Sequence, residues 1–308
     1  MEYNNEYFIE RARCPLGCNN LNSRIMIDIP MGTGKVGAFI SKYYKGRVPE
    51  EVLTGTTYTV VYCSSCDFYW QRHVLNDRWM RTLYEVWIDP NESEAKQSQK
   101  GRQHIRLQLL VEKHLTRVAK SLPTFAVLDW GGGWSAWAMA AQALGYEAYM
   151  LDISTTRTDH SLQNGIIPIT STESIQGVCI GFINASQVLE HVSYPSGLLQ
   201  HLANTLTPGG GLSISVPNAE EDRDPDHFVR KGPYHPLEHI NGFTRKSLRR
   251  LIKNVGLDIE RGGTVAIPGG RLSLLRAMIV NIRERIVPET WLPLSTNTAL
   301  AIKKQLPD

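Results

Sequence analysis

The sequence predicts an α/β chain: a doubly wound, mostly parallel sheet with helices on both faces, preceded by a small cysteine-bearing unit. Three observations carry this expectation. Residues 126–134, AVLDWGGGW, read as strand, tight turn and helix start, because a short apolar run closed by an acid meets three consecutive glycines. Beyond them strand-like and helix-like patterns alternate, as they do in a parallel sheet covered on both sides. Ahead of them Cys14 with Cys18, and Cys63 with Cys66, form two close pairs.

The bulk properties bound the answer. A chain of 308 residues, 42% hydrophobic and 20% charged, has room for one large domain and a smaller one. The formal net charge of +3 is too small to predict nucleic-acid or membrane binding. No apolar run approaches the roughly 20 residues of a membrane span, and the start MEYNNEYFIE lacks the basic and apolar regions of a signal peptide. A cytoplasmic location follows by default, and the oligomeric state stays open.

In the N-terminal part, Cys14-Pro-Leu-Gly-Cys18 and Cys63-Ser-Ser-Cys66 are each short enough for two thiolates to reach one tetrahedral Zn²⁺ from a turn. Two such turns together make a Cys₄ zinc ribbon, and four thiolates leave no open position for water, so the zinc would be structural. Gly32-Thr-Gly-Lys35 resembles a phosphate loop but fails it: Ile29 stands where the first glycine is needed and Val36 where Ser or Thr is. It reads as a flexible turn. Phe68, Tyr69, Trp70, Trp79, Tyr84 and Trp87 are either the wall of an acceptor pocket or packing for a small ribbon. Asp89 to Ser93 reads as a linker.

From Gln103 to Leu122, apolar residues recur at three- and four-residue steps, predicting an amphipathic helix that ends before Pro123. Ser135 to Leu144 is an alanine-rich helix stopped by Gly145. Glu147 to Asp152 is a second strand closed by an acid, 19 residues after Gly133. At that spacing a carboxylate accepts hydrogen bonds from a ribose diol; the competing reading is an aspartate capping the next helix. The glycine turn itself predicts a nucleotide-like ligand, since a Cβ would block close approach to the backbone.

Three motifs stand in order: VLDWGGGWS, YMLDIS and QVLEHVSYPSGLLQHLANTLTPGGGLSISVPN. On these the chain resembles class I S-adenosylmethionine-dependent methyltransferases, in particular the zinc-bearing sugar methyltransferase group, in which a small cysteine-bearing domain precedes the catalytic one. The resemblance covers roughly residues 120–260. It implies a Rossmann-like seven-stranded sheet with the last strand antiparallel, and S-adenosylmethionine as cofactor. Rossmann dehydrogenases share the glycine turn and the ribose acid but not the third motif. By the resemblance, Asp129, Gly131, Gly132 and Gly133 shape the methionine end of the cofactor site. Asp152, with Ile153 after it, holds the ribose, and Ser186 and Gln187 flank the cofactor. An adenine-contacting polar residue is expected among Thr170, Ser171 and Thr172. The chain departs from the family pattern at Ser135, where a third glycine is common, and at Gly181, where the fourth strand often has an aspartate.

A sulfonium already activates its methyl group, so the protein must chiefly align the acceptor and exclude water. For a hydroxyl or an acidic carbon a base is useful. His191 is one candidate; the loop after Asn218, with Asp226, His227, Tyr234, His235, Glu238 and His239, is the other. The resemblance implies a catalytic Tyr-x-Glu-His cluster there: Glu238 and His239 match, but Pro236 holds the tyrosine position. The competing reading of His239 is a structural histidine. His235-Pro-Leu-Glu-His239 also matches a zinc-peptidase pattern, yet that motif needs a helix, and Pro236 and Asn241-Gly242 favour a loop. Helix 244–255 follows, with Arg245, Lys246, Arg249 and Arg250 on its outer face, then a helix near 272–286 and a closing antiparallel strand at 296–303.

The expected organisation is a zinc-ribbon-like domain at 1–90, a linker and leading helix at 91–122, and a methyltransferase domain at 123–308. The expected activity is methyl transfer to a hydroxyl or activated carbon of a small-molecule or sugar-like acceptor, with no membrane partner. An RNA methyltransferase, a cofactor-binding protein without catalysis and a peptidase are the alternatives.

Overall fold

A computed structural model describes residues 6–18, 22–98, 101–220, 233–259 and 296–304. In the N-terminal part, strands β1 (Phe8–Glu10) and β2 (Ser23–Pro30) precede helices α1 (Gly34–Tyr43) and α2 (Glu50–Leu53). Strands β3 (Thr57–Cys63), β4 (Phe68–Gln71) and β5 (His73–Leu75) follow, then helix α3 (Asp77–Thr82) and one turn of π-helix, Leu83–Trp87. Val36 and Ile40, one turn apart on α1, are fully buried against Tyr58 and Val60 of β3 and carry the helix onto the sheet. Gly34 and Lys35 of the glycine-rich turn open α1 rather than a phosphate loop. Asp89 to Ser93, expected as a linker, instead starts helix α4 (Pro90–Ser98). Pro90 suits a first helical position, and the Asp89 carboxylate accepts from the Glu92 N–H at 3.2 Å.

Helix α5 (Gly101–Val118) leads into the central sheet. Strands β6 (Ala126–Trp130), β7 (Ala148–Leu151), β8 (Ile167–Pro168), β9 (Ile180–Ser186) and β10 (Gly211–Pro217) alternate with helices α6 (Ala136–Ala143), α7 (Thr155–Gln163) and α8 (Pro195–Thr205). After the short β11 (Asn241–Phe243) come α9 (Arg245–Asn254), β12 (Asp258–Ile259) and β13 (Thr296–Ile302). Seven strands form one sheet in the order β12-β13-β10-β9-β6-β7-β8, with β6 to β10 parallel and β13 antiparallel to both its neighbours. This is the mostly parallel methyltransferase sheet that the resemblance implies. The helix expected near 272–286, with Asp226 and His227, lies outside the described residues.

The strands are buried on both faces, which is why they read as apolar runs. Val127 of β6 packs with Val111, Leu115 and Trp137 from α5 and α6, while its neighbours Ala126 and Leu128 face Leu199, Leu202, Leu251 and Ile252 from α8 and α9. Helix α9 begins at a capping box in which Thr244 and Ser247 satisfy each other's backbone N–H. Gly181 stands where Phe125 packs against the sheet: a Cβ there would lie 2.4 Å from the Phe125 ring.

The N-terminal part is joined to the central domain by a shared strand. The four-stranded antiparallel sheet has the order β11-β4-β3-β2, so residues 241–243 supply its edge. Arg11 is buried at that seam. Its guanidinium donates to the carbonyls of Gln71, Ile240 and Ser193 and to Asn241 Oδ1, at 2.6 to 3.2 Å. Burial lowers its pKa to about 9, which still leaves it charged at neutral pH.

Replacing Arg11 with Met removes the donor to three carbonyls and an amide at once. The expected loss is upwards of about 3 kcal/mol, read as a lower midpoint in urea unfolding; a midpoint within error of wild type would refute the clamp.

Candidate active site

The order of the sheet reverses between β6 and β9, and parallel sheets bind ligands at the carboxyl ends of strands at such a switch point. A cavity of about 1010 Å³ opens there. Its floor holds Trp130 at the end of β6 and Gly131 after it, Asp152 and Ile153 after β7, and Gln187 and Val188 after β9.

The glycine turn has its composition for steric reasons. Gly131 has φ 66°, and a Cβ on it would lie 2.6 Å from Val188 Cγ2; on Gly132 it would lie 2.5 Å from Met150 Cγ. Ser135, in place of the third glycine, keeps the left-handed backbone at φ 59° and is fully buried, with its hydroxyl against Ser161 Oγ and Met150 Sδ. Asp152 closes the turn by accepting the Gly133 N–H at 2.9 Å, and accepts Ser154 N–H at 2.9 Å through its other oxygen. Arg157 Nη1 stands 3.6 Å from that second oxygen. Each carboxylate oxygen has a further lone pair for a hydroxyl donor. Asp129, Gly132 and Gly133 do not line the cavity; Asp129 lies beneath the turn, its Oδ1 accepting from Asn184 Nδ2 at 2.8 Å. Ser186 ends β9 with an exposed side chain outside the cavity, whereas Gln187 is held at φ 57° by its N–H bond to the Ser215 carbonyl. Thr170, Ser171 and Thr172 do not line the cavity either; the Thr172 hydroxyl is 3.0 Å from His201 Nε2.

The opposite wall brings together His191, Glu238 and His239. His191 donates from Nδ1 to the Glu238 carbonyl at 2.8 Å, and the rings of His191 and His239 are 4.8 Å apart. Burial, then the neighbouring His239, holds the His191 pKa well below the usual imidazole value. Residues 235–239 form a turn and not a helix, with Leu237 at φ 71°, so the peptidase pattern lacks the scaffold it needs. Their backbone is tied down by Gln71 Nε2, which donates to the carbonyls of His235 and His239.

The sequence did not single out three groups here. Tyr44, just after α1, donates its hydroxyl to Glu238 Oε1 at 2.7 Å, a phenol from a segment 194 residues away. Burial, then Glu238, raises its pKa well above the usual phenol value, so it is a neutral donor. Arg157 lines the cavity beside Asp152, and Glu190 lies fully buried behind His191. The doublet Tyr43-Tyr44 at the end of an amphipathic helix was the available signal for the first. A glutamate between Leu189 and His191 in an apolar context was the signal for the last. Of the aromatic stretch, Tyr84 and Trp87 line the cavity through the π-turn, while Phe68, Tyr69 and Trp70 are packed into the four-stranded sheet.

At the other end of β3, Cys14, Cys18, Cys63 and Cys66 converge, with sulfurs all within 4.8 Å of one another. None is in a disulfide. A tetrahedral ion with about 2.3 Å metal–sulfur bonds needs sulfurs spaced within that range, so the cluster could hold zinc. The turns are seated on the central domain: Ser196 Oγ donates to the Pro15 carbonyl, and Arg250 to that of Ser65 at 2.7 Å.

A family model described as a methyltransferase domain matches residues 98–261, just over half of the chain. The chain belongs to this family, and its central domain is that of a class I S-adenosylmethionine-dependent methyltransferase. Among solved structures, a SAM-dependent methyltransferase from Archaeoglobus fulgidus aligns at 16% identity and TM-score 0.41, covering 63% of this chain and 98% of that one. Magnesium protoporphyrin IX methyltransferase from Synechocystis aligns at 16% and 0.42, covering 65% and 80%. The plantazolicin methyltransferase BamL aligns at 13% and 0.49, covering 73% and 95%. A search of curated proteins returned no match. No helix among the described residues is long and apolar enough to cross a membrane.

Burial raises the Asp129 carboxyl from about 3.8 to about 7. A carboxyl raised in the folded state contributes stability that is present below its unfolded pKa and lost as pH rises through the folded value. The stability of wild type relative to Asp129→Asn should therefore fall between about pH 4 and about pH 8, measured by urea unfolding at both ends. A difference independent of pH would show that Asp129 is ionised in the fold.

Proposed function

We propose that the protein transfers a methyl group from S-adenosylmethionine to a hydroxyl or activated carbon of a small, sugar-like acceptor. The observation that carries this is one continuous cavity with the glycine turn and Asp152 at one end and His191, Glu238 and His239 at the other.

The residues fit the cofactor: Gly131 brings bare backbone to the cavity, and Asp152 offers buried carboxylate lone pairs to a ribose diol. When bound, the sulfonium supplies an activated methyl group. The chain's own contribution is to hold both partners in line and exclude water. Asp152, oriented by Gly133, Ser154 and Arg157, anchors the ribose, and Gln187, Ile153 and Trp130 flank the donor. His191, Glu238 and His239 form the wall against which the acceptor is bound and deprotonated. Tyr84 and Trp87 supply aromatic lining to the same cavity. The four thiolates hold a structural zinc that fixes the two knuckles against α8 and α9.

Isothermal titration should detect S-adenosylmethionine binding, and Asp152→Ala should weaken it by at least about tenfold; no binding by the wild type would sink the cofactor assignment. With nucleotide-linked sugars as acceptors, Glu238→Gln should lower kcat by about a hundredfold or more while leaving donor affinity intact. Metal analysis should find one equivalent of zinc per chain fewer in Cys14→Ser or Cys63→Ser than in wild type or His235→Ala. An unchanged zinc content after loss of both cysteine pairs would refute the Cys₄ site.

A further inference from the structure

Glu190 is a buried carboxylate that the proposed transfer leaves without a role. It is 0% exposed, and neither carboxylate oxygen has a hydrogen-bond partner among the described residues. Its backbone is committed, the carbonyl accepting from Asn241 N–H at 3.1 Å, so the side chain is held in place without being satisfied. A buried carboxylate with no donor is costly and persists only if it is protonated or meets a cation. Burial does favour the proton, raising its pKa to about 8.

The surroundings favour a metal ion. Glu190, His191 and His239 each direct one ligand atom into a common space, all within 4.8 Å of one another. The His191 tautomer is set by its Nδ1–H bond to the Glu238 carbonyl, leaving the Nε2 lone pair 3.8 Å from Glu190 Oε1. That separation is too long for a hydrogen bond and suits two ligands of one ion. Metal-bound histidines characteristically donate their other ring nitrogen to a carbonyl or carboxylate, and His191 does so here. Two of the three residues line the cavity, so the remaining coordination positions would face the acceptor.

We infer that Glu190, His191 and His239 form a second metal site, distinct from the cysteine cluster. It takes a divalent first-row transition cation whose open positions bind an oxygen of the acceptor. Two imidazoles and one carboxylate select such an ion over Mg²⁺ or Ca²⁺, which prefer oxygen-only sets. The inference rests on the proposed methyl-transfer reading of the cavity and divides the labour within it. The cation holds a hydroxyl and lowers its pKa, and Glu238, aligned by Tyr44, is the base. In the transfer the O–H bond breaks with its proton passing to Glu238. The oxygen forms its bond to the methyl carbon as the carbon–sulfur bond breaks, and the sulfur departs as a neutral thioether. An acceptor with two adjacent oxygens, such as a sugar diol or a hydroxy ketone, would fill two open positions. The site therefore favours O-methylation of a chelating acceptor.

The test uses the full chain after EDTA treatment, titrated with Mn²⁺ and followed by electron paramagnetic resonance of the free ion. Mn²⁺ is a first-row cation that suits carboxylate and not four thiolates, so the cysteine cluster does not compete. Wild type should bind one Mn²⁺ per chain, and Glu190→Gln and His239→Asn should each bind it at least about tenfold more weakly. S-adenosylmethionine affinity, measured on the same samples, should be retained. No Mn²⁺ binding by a wild type that binds the donor overturns the inference alone, as do equal affinities in wild type and both variants. Failure to bind the donor overturns the underlying reading. If Glu190→Gln does not fold, by circular dichroism, His239→Asn, altered at the cavity surface, carries the comparison.

Discussion

The end of the cavity that carries His191, Glu238 and His239 depends on one seam, the pairing of β4 with β11 around the buried Arg11 guanidinium. Burying a charge costs several kcal/mol unless its donors are all used, and here they meet three carbonyls and the amide of Asn241. Asn241 in turn donates to the carbonyls of Leu189 and Val192, on either side of Glu190 and His191. The segment 234–240 and the turn after β9 are thereby positioned by the same group. Loss of the seam would release Glu238 and His239 together with His191.

The two ends of the cavity are built differently. The end with the glycine turn comes from three strand ends of one parallel sheet, where strand geometry alone brings the turn after β6, Asp152 and Gln187 together. The end with the histidines is assembled from α1, the π-turn, the turn after β9 and the turn before β11, which are distant in sequence. Its electrostatics reflect that enclosure. Burial pushes the Glu190 carboxyl and the Tyr44 and Tyr84 phenols up and the His191 imidazole down, each toward its neutral form. Enclosure lowers the effective dielectric of this wall, so the charge of Glu238 is felt strongly by Tyr44 and Tyr84.

Much of this was legible in the sequence wherever a local pattern has one physical solution. Three glycines after an apolar strand imply close backbone approach, and Gly131 and Gly132 indeed have no space for a Cβ. An acid at the end of the next strand reaches that turn, as Asp152 does. Cysteines at short spacing turn back on themselves, and the four sulfurs meet. Pro236 denied the peptidase helix. Local reasoning failed where a pattern admits two uses: Asp89-Pro90 marks both a linker and a helix start, and a serine in place of glycine gives no warning that it will adopt φ 59°.

What the sequence by itself determined was the alternation of strands and helices in the central domain, the glycine turn with its acid, and the two close cysteine pairs, because each depends on residues close along the chain. Only the tertiary structure decided that β11 completes the N-terminal sheet and that Tyr44 reaches Glu238. It also decided that Glu190 stands beside His191 and His239 with no hydrogen-bond partner for its carboxylate among the described residues. Those relations span 49 to 194 residues and arise from packing, for which neither spacing nor periodicity leaves a trace in the sequence.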